Sequence, residues 1–226
     1  MKTLAIIPAY NEEDSIVNTV DSLKRTAPDL DYCVIDDGSS DATKRLCREK
    51  GFNTISLPVN LGLADGFQTG MKYAYRLGYD AALQFDADGQ HRSDYVQALI
   101  DAMLETGADI VIGSRFVDKK KAFSARELGS RLISVLIKLT TGKTIKDSTS
   151  GMRLYNRRMI EFFATKHDMA PEPDTLAYCL RKKAIVLEVP VEMQERFAGK
   201  SYLSAAKAVS YMFRICISIL LLQWFR

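Results

Sequence analysis

Four cysteines, two histidines and one tryptophan are all that 226 residues contain, and each scarcity excludes something. Cys33, Cys47, Cys179 and Cys216 are scattered without metal-ligand spacing, so neither a zinc site nor a disulfide framework is expected. They read as reduced thiols of a cytosolic protein. The charge imbalance is only +3, too mild to call for a nucleic-acid partner. No unbroken apolar run reaches the roughly 20 residues that a bilayer-spanning helix needs. The apolar stretch 209–225 is interrupted by Arg214 and runs into Gln223, Trp224, Phe225 and Arg226, so an interfacial or subunit-packed helix is expected there. No Gly-rich phosphate loop follows the first strand, which removes a nucleotidyltransferase of that type. Internal repeats and low-complexity linkers are absent. Lys2 leads directly into an apolar strand, so no signal peptide is expected.

What remains is ordinary globular composition, 47% hydrophobic and 26% charged, enough for one substantial core. Short apolar runs predict strands at 4–7, 32–35, 52–57, 81–85 and 109–112. Between them, helical spacing and caps predict helices at 13–26, 40–50, 66–77 and 93–105. Strands alternating with helices mean an α/β chain with a mostly parallel, doubly wound sheet. After Gly113 the alternation loosens into a helix at 125–139, a polar turn and short strand at 147–155, a helix at 172–182 and a strand at 184–189. This half reads as an acceptor-side extension of one domain, followed by a C-terminal amphipathic helix.

The most informative feature is Asp86-Ala87-Asp88, which follows the apolar run 81–85. Open α/β folds bind ligands at the carboxyl ends of their strands, so both acids are expected on the binding edge. Paired hard oxygens suit Mg²⁺ or Mn²⁺, and such an ion usually bridges to substrate phosphates. Asp29-Leu30-Asp31 has the same spacing but precedes a strand, and it reads as a solvated turn. Two more polar loops, Pro8-Ala9-Tyr10-Asn11-Glu12 and Asp36-Asp37-Gly38-Ser39-Ser40, follow the first two strands onto the same edge. Tyr10 could stack on a base there, and Asp37 could accept a hydrogen bond from a base N–H. His91 lies close behind Gln90, where a metal-site role and a plain surface role are both open. His167 is assigned nothing.

Read together, Ile7 to Glu12, Val34 to Asp41, Asn60-Leu61-Gly62 and Phe85 to His91 resemble the family 2 glycosyltransferases. Gly113-Ser114-Arg115-Phe116 and Asp147 to Arg153 are similar to the dolichyl-phosphate mannose synthase-like branch, which includes bacterial polyprenyl-phosphate glycosyltransferases. The likeness runs in order from about Leu4 to about Tyr202. It implies a nucleotide-sugar-binding fold of the GT-A type over 1–202, with a donor part to about 115, an acceptor part beyond it, and a tail helix at 203–226. It implies inverting sugar transfer. Pro8, Tyr10, Glu12, Asp37 and Asp86 would hold the nucleotide, and Asp86, Asp88 and Gln90 the metal and diphosphate. Arg115, Arg126 and Ser130 would bind phosphate near the reacting centre, with Arg196, Lys200 and Ser201 on a loop closing over it. Met152 stands where an aromatic is common, and the Gln-x-x-Arg-Trp signature of processive synthases is absent, which argues against polymer synthesis.

The resemblance makes the catalytic set Asp86, Asp88, Arg115, Arg126 and Asp147. A lipid phosphate acceptor is already anionic and needs no base; a sugar hydroxyl would need a carboxylate. Glu172 and Asp174 are the candidates for that base, and Asp147 is better suited to orienting the turn that follows it. Two further readings stand beside transfer to a polyprenyl phosphate: transfer to a hydroxyl of a lipid-linked glycan, and a non-catalytic nucleotide-sugar sensor. A UDP-sugar is favoured as donor, because one acid at Asp37 suits uracil. The expected partners are the donor, the lipid acceptor, a membrane surface at its cytoplasmic face contacted through the tail, and a second copy of the chain. Lys119, Lys120 and Lys121 read as a solvated loop or a membrane contact.

Overall fold

A computed structural model describes residues 1–118, 125–166, 169–194 and 205–221, with the side chains of 125–126 and 205–209 excepted. Seven strands form one sheet: β1 (Thr3–Ala9), β2 (Asp31–Asp36), β3 (Thr54–Ser56), β4 (Ala81–Gln84), β5 (Ile110–Ser114), β6 (Arg153–Asn156) and β7 (Val186–Pro190), in the order β3-β2-β1-β4-β6-β5-β7. Every pairing is parallel except those of β6, which runs antiparallel between β4 and β5. The helices are α1 (Ile16–Thr26), α2 (Thr43–Glu49), α3 (Leu63–Arg76), α4 (Val96–Thr106), α5 (Ala125–Thr141), α6 (Arg157–Thr165), α7 (Pro173–Arg181) and α8 (Ala205–Leu220).

The central strands are apolar without interruption because both faces of the sheet are covered. Successive residues of β1 show it. Leu4 and Ile6 belong to a core shared with Phe67, Tyr155, Phe163, Leu176 and Ile215, while Ala5 and Ile7 belong to one shared with Val20, Leu83, Leu99 and Leu154. Thus α3, α5, α6, α7 and α8 cover one face, and α1, α2 and α4 the other. On the first face Phe67, Tyr155 and Phe163 meet pairwise with ring centroids 5.2–5.5 Å apart. The two pairs with Phe163 are edge-on and the third is tilted, and contacts of this kind add to burial.

The expected α/β, mostly parallel sheet is present. The second half of the chain does more than flank it, since it inserts β6 into the middle of the sheet and adds β7 at its edge. Helix α6 was not anticipated. Its sequence, RRMIEFFAT, buries only Met159, Ile160 and Phe163 and follows directly on β6, where Asn156 caps it by accepting from the Met159 N–H at 3.0 Å. Helix α2 begins at Thr43 rather than at Ser40, because residues 39–41 are tied to the loop after β1.

Candidate active site

Parallel strands end together, so the loops after β1, β2, β4 and β5 share one edge, and antiparallel β6 begins there. The loops after β1 and β2 are bound to each other through Asn11. This residue sits in the left-handed region at φ 54°, and its Oδ1 accepts from the Ser40 N–H at 2.8 Å and the Asp41 N–H at 3.4 Å. The Asn11 N–H donates to Ser39 Oγ at 3.1 Å, and the Glu12 N–H to Thr43 Oγ1 at 2.8 Å. Tyr10 and Glu12 are half-buried here, and Ser15 Oγ donates to Glu12 Oε2 at 2.7 Å. Pro8 lies within β1 itself.

Asp37 is buried, and its carboxylate holds the loop before α3. It accepts from the Leu61 N–H at 2.8 Å, the Gly62 N–H at 2.7 Å and Asn60 Nδ2 at 2.9 Å. Gly38 beside it has φ 66°, and a Cβ there would lie 2.5 Å from the Val59 carbonyl carbon. Both features leave room only for glycine. Three chain donors thus sit on the Asp37 oxygens, and the loop before α3 is the partner this acid holds.

The two acids after β4 differ. Asp88 is buried and accepts from the Gln90 N–H at 3.0 Å. Asp86 keeps 35% of its side chain exposed and has no arginine or lysine partner among the described residues. The Asp86 N–H donates to His91 Nδ1 at 2.9 Å, so in neutral His91 the proton sits on Nε2, which faces Asp86 Oδ2 at 3.5 Å. His91 is buried, edge-on to Phe85 at 5.4 Å, and orients the loop. Residues 193–194 close over this turn, with the Gln194 N–H donating to the Gln90 carbonyl at 3.0 Å.

Arg115, at the end of β5, grips Asp147 with both arms: Nε to Oδ2 at 2.8 Å and Nη2 to Oδ1 at 2.7 Å. The Arg115 N–H adds a bond to Oδ2 at 3.0 Å, and Nη2 also reaches Thr149 Oγ1 at 3.1 Å. Burial alone would favour the neutral guanidine, but Asp147 outweighs it and holds Arg115 above its ordinary value. Asp147 is fully buried, and its N–H donates to Glu188 Oε1 at 2.7 Å. A carboxylate bound in this way positions its arginine; the catalytic placement of Asp147 gives way to that role.

Asp147 opens the five-residue turn that ends at Gly151, and the turn joins the two halves of the edge. A Cβ on Gly151 would stand 2.3 Å from Asp86 Oδ2, so the turn packs directly against this half-buried acid. Arg153 underlies the turn from inside the sheet, buried, donating from Nε to the Ser150 carbonyl at 2.8 Å and from Nη2 to the Ser148 carbonyl at 2.7 Å. Ser150 Oγ donates to the Gly113 carbonyl at 2.6 Å. Asn11, Gly151 and Arg153 therefore build the site without having been singled out for it, and His91, for which a metal-site and a surface role were both open, is buried and holds the Asp86 backbone. A motif marks them, but only the contacts give them roles.

Among the described residues no group of three or more His, Cys, Asp or Glu side chains forms a metal cage. Asp86 and Asp88 are nonetheless the right donors for Mg²⁺ or Mn²⁺, which takes one or two carboxylates and completes its shell with phosphate and water. Ser130 is buried within α5. The side chain of Arg126, and all of Arg196, Lys200 and Ser201, lie outside the described residues, as do Lys119, Lys120, Lys121 and His167. Glu172 and Asp174 face α8 instead of a reacting centre: Arg214 Nη2 reaches Glu172 Oε1 at 3.1 Å, and Ser218 Oγ donates to buried Asp174 Oδ2 at 2.6 Å.

The profile of glycosyl transferase family 2 matches residues 4–163. The chain belongs to this family. Polyprenol monophosphomannose synthase of Mycolicibacterium smegmatis is 31% identical over 232 residues, covering 95% of this chain and 85% of that protein. Undecaprenyl-phosphate mannosyltransferase of Micrococcus luteus is 30% identical over 216 residues, covering 90% and 88%. The crystal structure of glucosyl-3-phosphoglycerate synthase from Mycobacterium tuberculosis with Mn²⁺, UDP-glucose and glycerol 3-phosphate superposes with a TM-score of 0.69. It covers 98% of this chain and 79% of that one at 19% identity, a likeness of fold. This family 2 member is a glycosyltransferase of the polyprenyl-phosphate branch.

Proposed function

We propose that this glycosyltransferase moves a sugar from a nucleoside diphosphate to a polyprenyl phosphate, at the cytoplasmic membrane face, for assembly of a cell-surface glycan. The observation that carries the reading is the 147–151 turn. One end fixes Arg115 and the other abuts the half-buried Asp86, so one element links an arginine to an acid that would line a metal position, which supports the reading.

The reaction is a single in-line displacement. A phosphate oxygen of the acceptor bonds to the anomeric carbon, the bond from that carbon to the diphosphate oxygen breaks, and the configuration inverts. Asp86 and Asp88, with Gln90 beside them, would hold Mg²⁺ or Mn²⁺, which when bound offsets the negative charge of the diphosphate. Arg115 spends Nε and Nη2 on Asp147 and Thr149, which leaves Nη1 without a chain partner among the described residues and available to a phosphate oxygen. Its geometry is preset, so no reorganisation is needed as charge develops. Ser130, Arg126, Arg196, Lys200 and Ser201 complete the phosphate contacts in this reading. Tyr10 and Glu12 border the nucleotide, and Asp37 shapes its pocket by holding residues 60–62.

No step needs a proton removed. Asp147, Glu172 and Asp174, the carboxylates weighed as a base, are turned to Arg115, Arg214 and Ser218. This favours an acceptor that is already ionised over a sugar hydroxyl. A screen of UDP- and GDP-sugars with Mn²⁺ and a short polyprenyl phosphate, products identified by mass, tests the reading. A product bearing sugar on phosphate is expected. Transfer only to a glycan hydroxyl would replace this reading with the alternative acceptor. Absence of both transfer and donor hydrolysis would favour a sensor.

A further inference from the structure

Residues 142–152 join α5 to β6 without regular structure, yet they carry the buried Asp147 that grips Arg115. Ordering such a segment costs conformational entropy at every residue, so its anchors decide where Asp147 stands. Beyond Asp147 the anchors are Arg153, on the Ser148 and Ser150 carbonyls, and Ser150 Oγ, on the Gly113 carbonyl. On the near side the anchor is Glu188, a residue of β7 that the sequence motifs leave out.

Glu188 is half-buried on the edge strand, where parallel pairing sets it opposite Ile112 of β5. Its carboxylate takes two consecutive backbone donors. The Lys146 N–H reaches Oε2 at 2.8 Å, and the Asp147 N–H reaches Oε1 at 2.7 Å. Hydrogen bonds to an ionised oxygen are the strong ones. Lys146 in turn sends Nζ to the Val117 carbonyl at 3.1 Å, which ties the segment after β5 to the segment before Asp147. The Asp147 carboxylate accepts from the Arg115 N–H, Nε and Nη2 and from Thr149 Oγ1. One residue therefore has its backbone fixed by Glu188 and fixes Arg115 with its side chain.

We propose that Glu188 is a positioning residue for Arg115, acting through Asp147. Glu188 sets where Asp147 stands, Asp147 sets the plane of the guanidinium, and that plane sets the direction of Nη1. A glutamine at 188 would have one acceptor oxygen and one NH₂ group. It could accept from only one of the two amides and would set a donor against the other, so residues 146–147 would shift and carry the guanidinium with them. The loss falls on turnover more than on donor binding, because a cation beside phosphate is worth most as charge develops in the transition state. An acid that merely anchored the chain would lower stability and leave the rate per folded molecule alone. Only the rate measurements rest on the proposed transfer; the placement of the guanidinium does not.

The test uses the full chain with Glu188→Gln and Glu188→Ala, each alone and combined with Arg115→Lys. Glu188→Gln should lower kcat about tenfold and leave the donor KM within about twofold, since a full displacement of about 1 Å would cost on the order of 100-fold. Glu188→Ala should lower kcat further. In the Arg115→Lys background, Glu188→Gln should change kcat less than about twofold, because the guanidinium it positions is gone. Without substrate, the Arg115 Nε–H signal in a nitrogen–proton correlation spectrum, assigned by its loss in Arg115→Lys, should move in Glu188→Gln. The Nε–H signal of Arg158, bound to Asp109 at the other end of β5, should stay. An equal fall in kcat in both backgrounds would overturn the proposal. So would an Arg115 signal that Glu188→Gln leaves in place. A lower melting temperature with full kcat per folded molecule would reduce Glu188 to an anchor and overturn it as well. If the wild type transfers no sugar, the reading of the site fails, and the Arg115 signal alone decides the role of Glu188.

Discussion

Replacing Gly151 by alanine tests the link between the two halves of the site. The new Cβ would lie 2.3 Å from Asp86 Oδ2, 3.1 Å from its Cγ and 3.3 Å from Oδ1. Carbon and oxygen rest roughly 3.3 Å apart or more, so the carboxylate or the turn must give way by about 1 Å. The turn is held by Arg153 on two carbonyls and by Ser150 on Gly113, whereas Asp86 is the more exposed partner, so Asp86 moves. Overpacking of this size costs about 1–3 kcal/mol. A reacting group displaced by about 1 Å loses on the order of 100-fold in rate. The expected result is a fall in kcat/KM of about 100-fold, close to 2.7 kcal/mol of transition-state stabilisation, with a modest loss of melting temperature. Initial rates of sugar transfer and a calorimetric titration with Mn²⁺ measure it. The control is Gly66→Ala in α3, where a Cβ would meet only Pro8 Cβ at 3.8 Å and Ile35 Cγ2 at 4.0 Å. That change should stabilise the fold by about 0.5–1 kcal/mol. Retention of activity within threefold by Gly151→Ala, with unaltered Mn²⁺ uptake, would refute the reasoning, because the packing of the turn on Asp86 would then be irrelevant to catalysis.

Arg115→Ala should destabilise the protein by about 3–5 kcal/mol, because it leaves Asp147 buried without its counter-charge. Arg115→Lys should recover part of the stability but little of the transfer rate, as an ammonium cannot replace the two-armed grip; urea unfolding and steady-state rates separate the two. Asp109 gives an acid limb to stability. Burial raises its pKa, but the Arg158 guanidinium, the Ile185 N–H and Asn156 together hold it below the ordinary value. The stabilisation is therefore complete above the unfolded pKa of about 3.9 and disappears as pH falls through the lower folded value. The urea midpoint should drop in that acid window, and Asp109→Asn should flatten the drop. Ser218→Ala should cost about 1 kcal/mol or more by removing a donor from buried Asp174, and should speed proteolysis within α8 in a time course followed by mass.

How much was legible in the chain depends on whether the interaction is local. Runs such as Leu4-Ala5-Ile6-Ile7 can be buried on both sides only in a covered sheet, so the strands, the alternation and the binding edge followed from composition and order alone. Asp86 and Asp88 could be placed on that edge because a strand must end where its apolar run ends. The family resemblance likewise rests on ordered motifs, which need no coordinates.

Pairing across long separations was decided by tertiary structure. Nothing in the Arg153–Asn156 segment says that it runs antiparallel between β4 and β5, since that register is set by contacts with residues about 70 and 40 positions away. That insertion brings Gly151 against Asp86 and Asp147 against Arg115. Asp37, Asp147 and Asp174 illustrate the cost of reading an acid from sequence: a carboxylate has the same name whether it faces a substrate, an arginine or a buried serine. The tail teaches the same lesson. Hydropathy along 205–221 shows that α8 is apolar, but only packing shows that it spends Ile215 and Ile219 on the core. Local order determines which segments can be buried; the solvation of each charged or apolar side chain depends on what the rest of the fold lays over it.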